Sequence, residues 1–176
     1  IKEDSVTKNR PRKEYRHKDL DDSIRKQRTQ TELSSLKKAR RNDVNVPKVE
    51  KTSDFILEME KIEGQTLEKN FRPEKMKSVG ENIQKLHESG LVHGDLTTKN
   101  IIADEEVFLI DFGLSEDSPS TEDRAIDLHL LKQMLESSHP EYFDKAWENF
   151  LDNYRPEFRE PVLERLEEVE NRGRYK

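Results

Sequence analysis

The sequence has no cysteine, no glycine before Gly64 and no hydrophobic run long enough to cross a membrane. Without cysteine there is no disulfide bond and no cysteine-ligated zinc site, and this absence fits a reducing cytosol. A membrane-spanning helix needs about 20 apolar residues in succession, and no signal-peptide pattern opens the chain. We therefore predict a soluble, cytoplasmic protein with no membrane partner.

Apolar residues are also scarce, since 31% of the 176 residues are hydrophobic whereas 40% are charged. They are clustered along the chain, so we expect a modest core in a single compact unit. The net charge of −6 is unevenly divided, because residues 1–50 carry +6 and the remainder carries −12. A basic end on an acidic body favours contact with phosphate groups or with an acidic partner.

The stretch from residue 91 to residue 113 has the order and spacing of a phosphoryl-transfer centre. Asp95 follows a His-Gly pair, Asn100 comes five residues later, and Asp111 opens an Asp-Phe-Gly sequence after two short β-patterned runs. Phosphoryl transfer needs a carboxylate to orient the accepting hydroxyl, here Asp95, and hard oxygen ligands for Mg²⁺, here Asn100 and Asp111. The alternative is a polar turn that closes two buried strands, but it leaves three correctly spaced residue types unexplained.

A kinase also needs a cation on the nucleotide phosphates, held by a carboxylate on a helix. Lys8 on the first predicted strand and Glu32 on the following helix are the natural pair, although each alone is typical of a solvated surface charge. The strand before Gly64 is interpreted as a hinge, where the Glu60 carbonyl and the Ile62 amide would bind adenine; its alternative is an ordinary strand end. ATP and Mg²⁺ are the cofactors that this set of residues predicts.

Hydrophobic periodicity predicts an α+β fold, a small two-lobed kinase-like arrangement. The N-terminal lobe, residues 1–63, has strands and one helix, predicted at 6–8, 20–41, 48–51 and 55–61. The C-terminal lobe, residues 64–176, is mainly helical, with helices predicted at 73–90, 125–137, 140–154 and 157–169. A hairpin of 101–102 with 107–110 follows the segment 93–100, which we call the catalytic loop, and 114–124 is predicted to be a loop.

Two predicted helices carry apolar stripes, which more often form core than a ligand pocket. The stripe of the first helix consists of Leu20, Ile24, Leu33, Leu36 and Ala39. The stripe of the helix at 140–154 is mostly aromatic and consists of Tyr142, Ala146, Phe150 and Tyr154.

Two features of signalling kinases are absent. Gly94 stands where many kinases have arginine, so no arginine is present there to pair with a phosphorylated activation loop. No Ala-Pro-Glu sequence follows Gly113, so we expect no normal platform for a peptide substrate. Asp127 is expected to brace the catalytic loop by accepting its backbone amides, with a plain helix N-terminal charge as the alternative.

These residues resemble the small atypical kinase of the KEOPS complex, the PRPK family, over nearly the whole chain. Its catalytic signature is similar to residues 93–100, His-Gly-Asp-Leu-Thr-Thr-Lys-Asn, and to residues 111–115, Asp-Phe-Gly-Leu-Ser. Its N-terminal signature looks like residues 8–17, Lys-Asn-Arg-Pro-Arg-Lys-Glu-Tyr-Arg-His, and their continuation to Glu32. The end of the chain, residues 170–176, is similar to the family's short basic tail.

The resemblance implies an ATP-dependent Ser/Thr protein kinase or ATPase that supports threonylcarbamoyladenosine modification of tRNA. It implies two protein partners: the threonylcarbamoyl transferase subunit, fused to the kinase in part of the family, and a small regulatory subunit on the N-terminal lobe. The basic tail would engage tRNA, with a frayed, solvated terminus as the alternative. By matching position, the resemblance implies that nucleotide binding, proton transfer and metal binding are carried out by Lys8, Glu32, Asp95, Asn100 and Asp111.

The chain departs from the family pattern at three positions and at its start. Lys99 replaces the usual serine, and Arg12 and Lys18 stand where the family usually has proline. Lys99 adds a cation next to Asn100, which would either assist phosphate binding or weaken Mg²⁺ affinity. No glycine-rich phosphate loop precedes Lys8, so we expect the N-terminal lobe to be incomplete in this sequence.

Three alternatives to this active enzyme are considered. A nucleotide-binding pseudokinase scaffold would have no reason to retain all five functional residue types. A RIO-type kinase usually lacks Phe-Gly after the second Asp. A small-molecule phosphotransferase of the aminoglycoside or choline type shares the His-x-Asp loop, but Asp-Phe-Gly and the arginine-rich segment near Tyr15 count against it.

Overall fold

The computed structural model describes residues 5–13, 15 and 17–173 of the chain. Its N-terminal part contains a three-stranded antiparallel sheet of β1 (Ser5–Asn9), β2 (Val49–Lys51) and β3 (Ile56–Glu60), with β3 in the middle. Between β1 and β2 the chain forms one long helix, α1 (Lys18–Arg41), which packs against β2 and β3. The strands and helix predicted for this part are therefore confirmed.

The C-terminal part is mainly helical, and the catalytic loop lies at its start. The strand β4 (Gln65–Thr66) and a 3-10 turn at Pro73–Lys75 precede α2 (Met76–Glu88). The catalytic loop then runs from β5 (Leu91–Val92) to the hairpin of β6 (Ile101–Ala103) and β7 (Val107–Leu109), after which β8 (Glu116–Asp117) pairs with β5. The remaining helices are α3 (Thr121–Ser138), α4 (Phe143–Asn153) and α5 (Arg159–Gly173). The predicted α+β class is confirmed, whereas the lobe boundary at residue 63 stays a prediction.

The buried face of α1 is mixed rather than purely apolar. Leu20, predicted on the apolar stripe, is 57% exposed, because Asp21 takes the buried position in the first turn. The buried residues of this helix include both apolar and polar types: Asp21, Thr29, Glu32, Leu33, Ser35, Leu36 and Ala39. Since buried polar groups destabilise a fold unless they are paired, this face of α1 is a place to look for a site.

The aromatic stripe of α4 forms core. The rings of Phe150 and Tyr154 are fully buried with centroids 5.6 Å apart, and Trp147 stacks on Phe150 at 5.2 Å. Tyr142 is instead 43% exposed, because it lies in the 3-10 turn before α4 and not on the helix face. At Gly80 of α2 a Cβ would lie 2.6 Å from the Phe150 carbonyl oxygen, so only glycine allows the two helices to approach this closely.

Several predicted element boundaries are wrong. The segment 114–124 is not a loop throughout, because it contains β8 and because α3 begins at Thr121. A capping box sets that start: the Ser120 hydroxyl accepts the Asp123 N–H at 3.2 Å, and the Asp123 carboxylate accepts the Ser120 N–H at 2.8 Å. At the other end, α5 continues past the predicted residue 169 to Gly173.

In the part of the chain that the structure describes, no helix is both long and apolar enough to cross a bilayer.

Candidate functional site

A cleft of about 480 Å³ opens between the N-terminal sheet and the β6–β7 hairpin. Its lining combines apolar side chains with a few charged or polar ones, and includes Val6, Leu36, Met59, Ile102, Ile110, Lys8, Asn100 and Asp111. Small-molecule sites typically have this composition, with apolar walls for a flat ring and a few polar groups that fix its orientation.

Lys8 joins two carboxylates at the wall of this cleft. Its Nζ lies 2.7 Å from Glu32 Oε1 and 2.8 Å from Asp111 Oδ1. Glu32 is fully buried on α1, and a buried carboxylate destabilises a fold unless a charged group pairs with it. The structure therefore brings three of the predicted site residues into direct contact.

Arg10 is a fourth member of this group, and it is absent from the predicted site. Its Nη2 lies 2.5 Å from Glu32 Oε2, the oxygen that Lys8 does not contact. Arg10 follows Lys8 by two residues in an extended segment, so both side chains lie on the same face of that segment. This spacing is the signal in the sequence that could have identified Arg10 as a site residue. We refer to Lys8, Arg10, Glu32 and Asp111 as the charge cluster.

Asp111 is held in an unusual backbone conformation and in its charged form. Its φ angle is +62°, in the left-handed region that non-glycine residues rarely adopt. Burial raises the pKa of Asp111, but the hydrogen bond and charge of Lys8, the Gly113 amide and the charge of Arg10 together outweigh burial, so that pKa lies below its ordinary 3.8. Asp111 is thus an anion at neutral pH, as a metal-binding carboxylate must be.

Asn100 and Asp95 contact each other in the catalytic loop. Asn100 Nδ2 donates to both the carbonyl oxygen and Oδ2 of Asp95, each at 2.9 Å. With its nitrogen turned toward Asp95, the side-chain oxygen of Asn100 is the atom left for a metal. Asp95 itself is exposed, as the group that meets an incoming hydroxyl must be.

The donor set fits Mg²⁺ bound together with a nucleotide. Within residues 5–13, 15 and 17–173, no three His, Cys, Asp or Glu side chains gather into a complete metal cage. Asn100 and Asp111 both line the cleft and offer hard oxygen atoms. Mg²⁺ is commonly held by one or two such protein ligands, with phosphate oxygens and water completing its octahedral shell.

The catalytic loop is braced from beneath by Asp127 of α3, as its position in the sequence suggests. Its carboxylate accepts the backbone N–H groups of His93 at 2.6 Å and Gly94 at 2.8 Å. Gly94 has a φ of +78°, and a Cβ there would lie 2.0 Å from the Leu114 carbonyl oxygen. Close approach of the chain after Asp-Phe-Gly therefore explains why glycine stands where many kinases have arginine.

Two buried histidines complete this support, and neither is among the predicted site residues. The His87 ring has Nδ1 2.8 Å from the Tyr154 hydroxyl and Nε2 3.4 Å from Asp127 Oδ2. The His93 ring donates from Nε2 to the Ile110 carbonyl oxygen at 2.9 Å and accepts the Asp95 N–H at Nδ1, 3.3 Å away. We refer to Asp127, His87 and Tyr154 as the loop brace.

Both predicted hinge residues line the cleft. Glu60 is fixed to the neighbouring segment, because its N–H donates to the Lys48 carbonyl oxygen at 2.9 Å and its Oε2 accepts the Lys48 N–H at 3.0 Å. Among the described residues the Ile62 amide has no hydrogen-bond partner. An unpaired backbone donor at the cleft is suited to a flat heterocycle, and the adenine roles of both residues stay predictions.

Lys99 and the basic tail make ion pairs of their own. Lys99 Nζ lies 3.4 Å from Glu68 Oε1, so a carboxylate already accompanies the cation beside Asn100. Residues 170–173 form the end of α5, where Arg172 contacts Glu122 of α3 at 3.0 Å. Residues 174–176 lie outside the described residues, as do Glu14 and Arg16 of the N-terminal signature.

Comparison with known families and proteins gives consistent results. Residues 2–145 match the family model of the RIO domain. The chain is 42% identical to KEOPS complex subunit Bud32 of Pyrococcus abyssi, over 97% of this chain and 84% of that protein. It is 41% identical to the probable bifunctional tRNA threonylcarbamoyladenosine biosynthesis protein of Methanosarcina mazei, over 97% of this chain and 32% of that protein. The chain thus spans about a third of the length of such bifunctional relatives.

Among solved structures, the Rio2 kinase–ADP/Mg²⁺–phosphoaspartate complex from Chaetomium thermophilum superposes with a TM-score of 0.62. The match covers 95% of this chain and 60% of that one at 16% identity, so it shows the fold alone. The predicted kinase-like fold and the KEOPS-type resemblance are confirmed. RIO-type kinases are not a separate alternative, because the RIO match and the Bud32 match describe the same residues.

Proposed function

The chain belongs to the RIO domain family and to the family of KEOPS complex subunit Bud32, and we propose that it binds ATP with Mg²⁺ and transfers or hydrolyses the γ-phosphate. The observation that carries this proposal is the simultaneous contact of Lys8 with Glu32 and Asp111 at the cleft wall. That contact joins the phosphate-binding cation, its helix carboxylate and a metal-binding carboxylate in one place, as phosphoryl transfer requires.

Five residues in or beside the cleft each have one role in the proposed reaction. Lys8 binds the phosphate oxygens and Glu32 keeps it in place. Asn100 and Asp111 hold Mg²⁺, which when bound neutralises charge on the phosphates. Asp95 orients the attacking hydroxyl, of a Ser/Thr side chain or of water, and accepts its proton.

The biological role that we propose is support of threonylcarbamoyladenosine modification of tRNA within a KEOPS complex. The names of the Pyrococcus abyssi and Methanosarcina mazei relatives support this role. The proposed partners are the threonylcarbamoyl transferase subunit, in cis in fused proteins, and a small subunit on the N-terminal lobe. We propose that tRNA is contacted indirectly or through the basic end at residues 170–176, in the cytoplasm.

ATP turnover of an Asp111→Ala variant tests the proposal. The assay uses the full-length protein with Mg²⁺, alone and with its transferase partner. Loss of a metal ligand should lower turnover on the order of 10³-fold, because the charge that develops on the phosphates loses its stabilisation. Asp104→Ala is the matched control, since Asp104 is an exposed aspartate in the turn of the same hairpin and should retain wild-type turnover.

Equal turnover of Asp111→Ala and the wild type would disprove the mechanism. Binding of ATP that raises the melting temperature, with no phosphate release even with the partner present, would instead favour a nucleotide-binding scaffold.

A further inference from the structure

Arg10 lies between α1 and the Asp-Phe-Gly segment. Its guanidinium Nη2 is 2.5 Å from Glu32 Oε2 and 2.7 Å from the point that a Cβ on Gly113 would occupy. Gly113 is not among the glycines with positive φ, so its backbone does not itself require glycine. The tip of the Arg10 side chain therefore lies against the Asp-Phe-Gly backbone at Gly113, where a larger side chain would displace it.

The backbone of Arg10 is fixed on both sides. Its N–H donates to the Phe55 carbonyl oxygen at 3.1 Å, which extends the β1–β3 ladder by one residue. Its carbonyl oxygen accepts a bond from Arg25 of α1 at 2.8 Å, and the Arg25 guanidinium lies over the Phe55 ring, 4.2 Å from its centroid. The Arg10 side chain therefore extends toward Glu32 from a defined backbone position.

Arg10 also balances the charge at the cleft. Lys8 and Arg10 provide two positive charges for the two carboxylates of the charge cluster, so the four groups together are neutral. Without Arg10, Lys8 would be the single cation in contact with both carboxylates, and Oε2 of the buried Glu32 would lose its charged partner. Lys8 would then be less available to phosphate oxygens.

We propose that Arg10 is a positioning residue, which holds Glu32 and the Asp111–Gly113 segment in the arrangement that binds nucleotide. This inference rests on the proposed function. Arg10 thereby connects Glu32 of α1 with the Asp-Phe-Gly backbone at Gly113.

Three variants of the full-length protein with its partners test this role. Arg10→Gln removes the charge, Arg10→Lys keeps it, and Arg28→Gln is the control, because Arg28 lines a cavity beside Arg10 but forms no ion pair with Glu32 in the described structure. Arg10→Gln should raise the KM for Mg·ATP and lower kcat/KM on the order of tenfold to hundredfold. Arg10→Lys should recover most of the loss, and Arg28→Gln should match the wild type.

A double-substitution cycle tests whether Arg10 acts through Gly113. Gly113→Ala should displace the guanidinium, so Arg10→Gln combined with Gly113→Ala should lose little more than either alone. Fully additive losses in activity would overturn the inference, and so would an Arg10→Gln variant with the KM and kcat of the wild type. Neither outcome affects the test of the proposed function by Asp111→Ala. Thermal unfolding identifies variants that fail to fold; if Arg10→Gln is one of them, Arg10→Lys and Gly113→Ala decide the question.

Mg·ATP affinity, measured by calorimetry on the same proteins, separates the two proposals. If the wild type shows no turnover, the proposed reaction fails, but an affinity of Arg10→Gln at least tenfold weaker than that of the wild type still supports the positioning role. Equal affinities of the two proteins would then overturn that role as well.

Discussion

The two sides of the catalytic cleft are held by different kinds of contact. On the side of the charge cluster, the Lys8–Asp111 ion pair reaches solvent, since these side chains are 23% and 48% exposed, although Glu32 behind them is buried. The loop brace on the other side consists of hydrogen bonds among side chains that are almost entirely buried: His87, Asp127 and Tyr154. A half-exposed ion pair can be exchanged for a charged ligand, whereas a buried network cannot open without leaving polar groups unpaired.

This difference suggests that the two sides of the cleft have different functions. In the proposed function, phosphate oxygens would compete with Asp111 for Lys8, because Lys8 contacts Asp111 directly. The catalytic loop must stay fixed throughout, because the position of Asp95 depends on the backbone that Asp127 holds at His93 and Gly94. Substitutions in the brace should therefore act mainly on stability, and substitutions in the cluster mainly on nucleotide chemistry.

The largest effect is expected from Asp127→Ala. This change leaves the backbone N–H groups of His93 and Gly94 without their acceptor and removes the partner of His87. Breaking a buried charged network of this kind should lower the free energy of unfolding by about 3 to 5 kcal/mol. Urea denaturation followed by circular dichroism measures the loss.

Asp127→Asn is the matched control, because it has nearly the same shape and retains one acceptor oxygen. It should lose clearly less stability than Asp127→Ala. Two variants within about 0.5 kcal/mol of the wild type would show that the brace is not structural, and the contrast between the two sides would then fail.

An intermediate effect is expected where the two sides meet. Ser115 follows Asp-Phe-Gly, and its hydroxyl lies 2.7 Å from the Ser35 hydroxyl on α1 and 2.8 Å from the Phe112 carbonyl oxygen. Ser115→Ala should lower the free energy of unfolding by about 1 kcal/mol, since buried hydrogen bonds are lost. It should also weaken Mg·ATP binding, because α1 carries Glu32.

Ser34→Ala is the control for this substitution. Ser34 is exposed on the same helix, and within the described residues its hydroxyl hydrogen-bonds only the Gln30 and Thr31 carbonyl oxygens of α1 itself. Equal behaviour of the two variants in denaturation and in nucleotide binding would mean that the Ser35–Ser115 contact does not couple the two sides.

The smallest effect is the pH dependence of the charge cluster. Because the pKa of Asp111 is lowered in the folded protein, Asp111 stabilises the fold fully above the unfolded pKa near 3.8, and this contribution is lost as the pH falls through the folded value. The Asp111 side chain is half-exposed, so the contribution should be a few tenths of a kcal/mol. The difference in stability between the wild type and Asp111→Asn should shrink as the pH falls from about 5 to about 2.

Denaturation curves at several pH values measure this difference. Asp144→Asn serves as the control, because it removes an exposed carboxylate of α4 that is not part of the charge cluster. A difference between the wild type and Asp111→Asn that stays constant with pH would show that the cluster does not hold Asp111 in its charged form.

Much of the fold was predictable because its signals are local. The period of apolar residues identified α1, α2, α4 and the β6–β7 hairpin, and their positions are close to those predicted. The two-residue strands β4, β5 and β8 were not predicted, since each exists through pairing with a distant segment and has no pattern of its own. The start of α3 was placed too late, although the Ser120 and Asp123 capping box is a readable local signal.

The residues of the candidate site also divide into those that the sequence predicts and those that it does not. The spacing of Asp95, Asn100 and Asp111 marked the chemistry, and that spacing is a property of the sequence. Arg10 and His87 were missed, since their partners Glu32 and Asp127 lie 22 and 40 residues away along the chain. A lone arginine or histidine has too many ordinary uses for its type alone to assign it a role.

The sequence by itself determined the kinase-like order of elements, the family resemblance and the residue types that phosphoryl transfer needs, because all three are encoded in composition, period and spacing. Only the tertiary structure decided which groups touch: that Lys8 contacts two carboxylates, that Arg10 approaches Gly113, and that Asp127 holds the catalytic loop. The physical reason is that ion pairs and buried hydrogen bonds depend on distances of a few ångströms between segments that packing brings together.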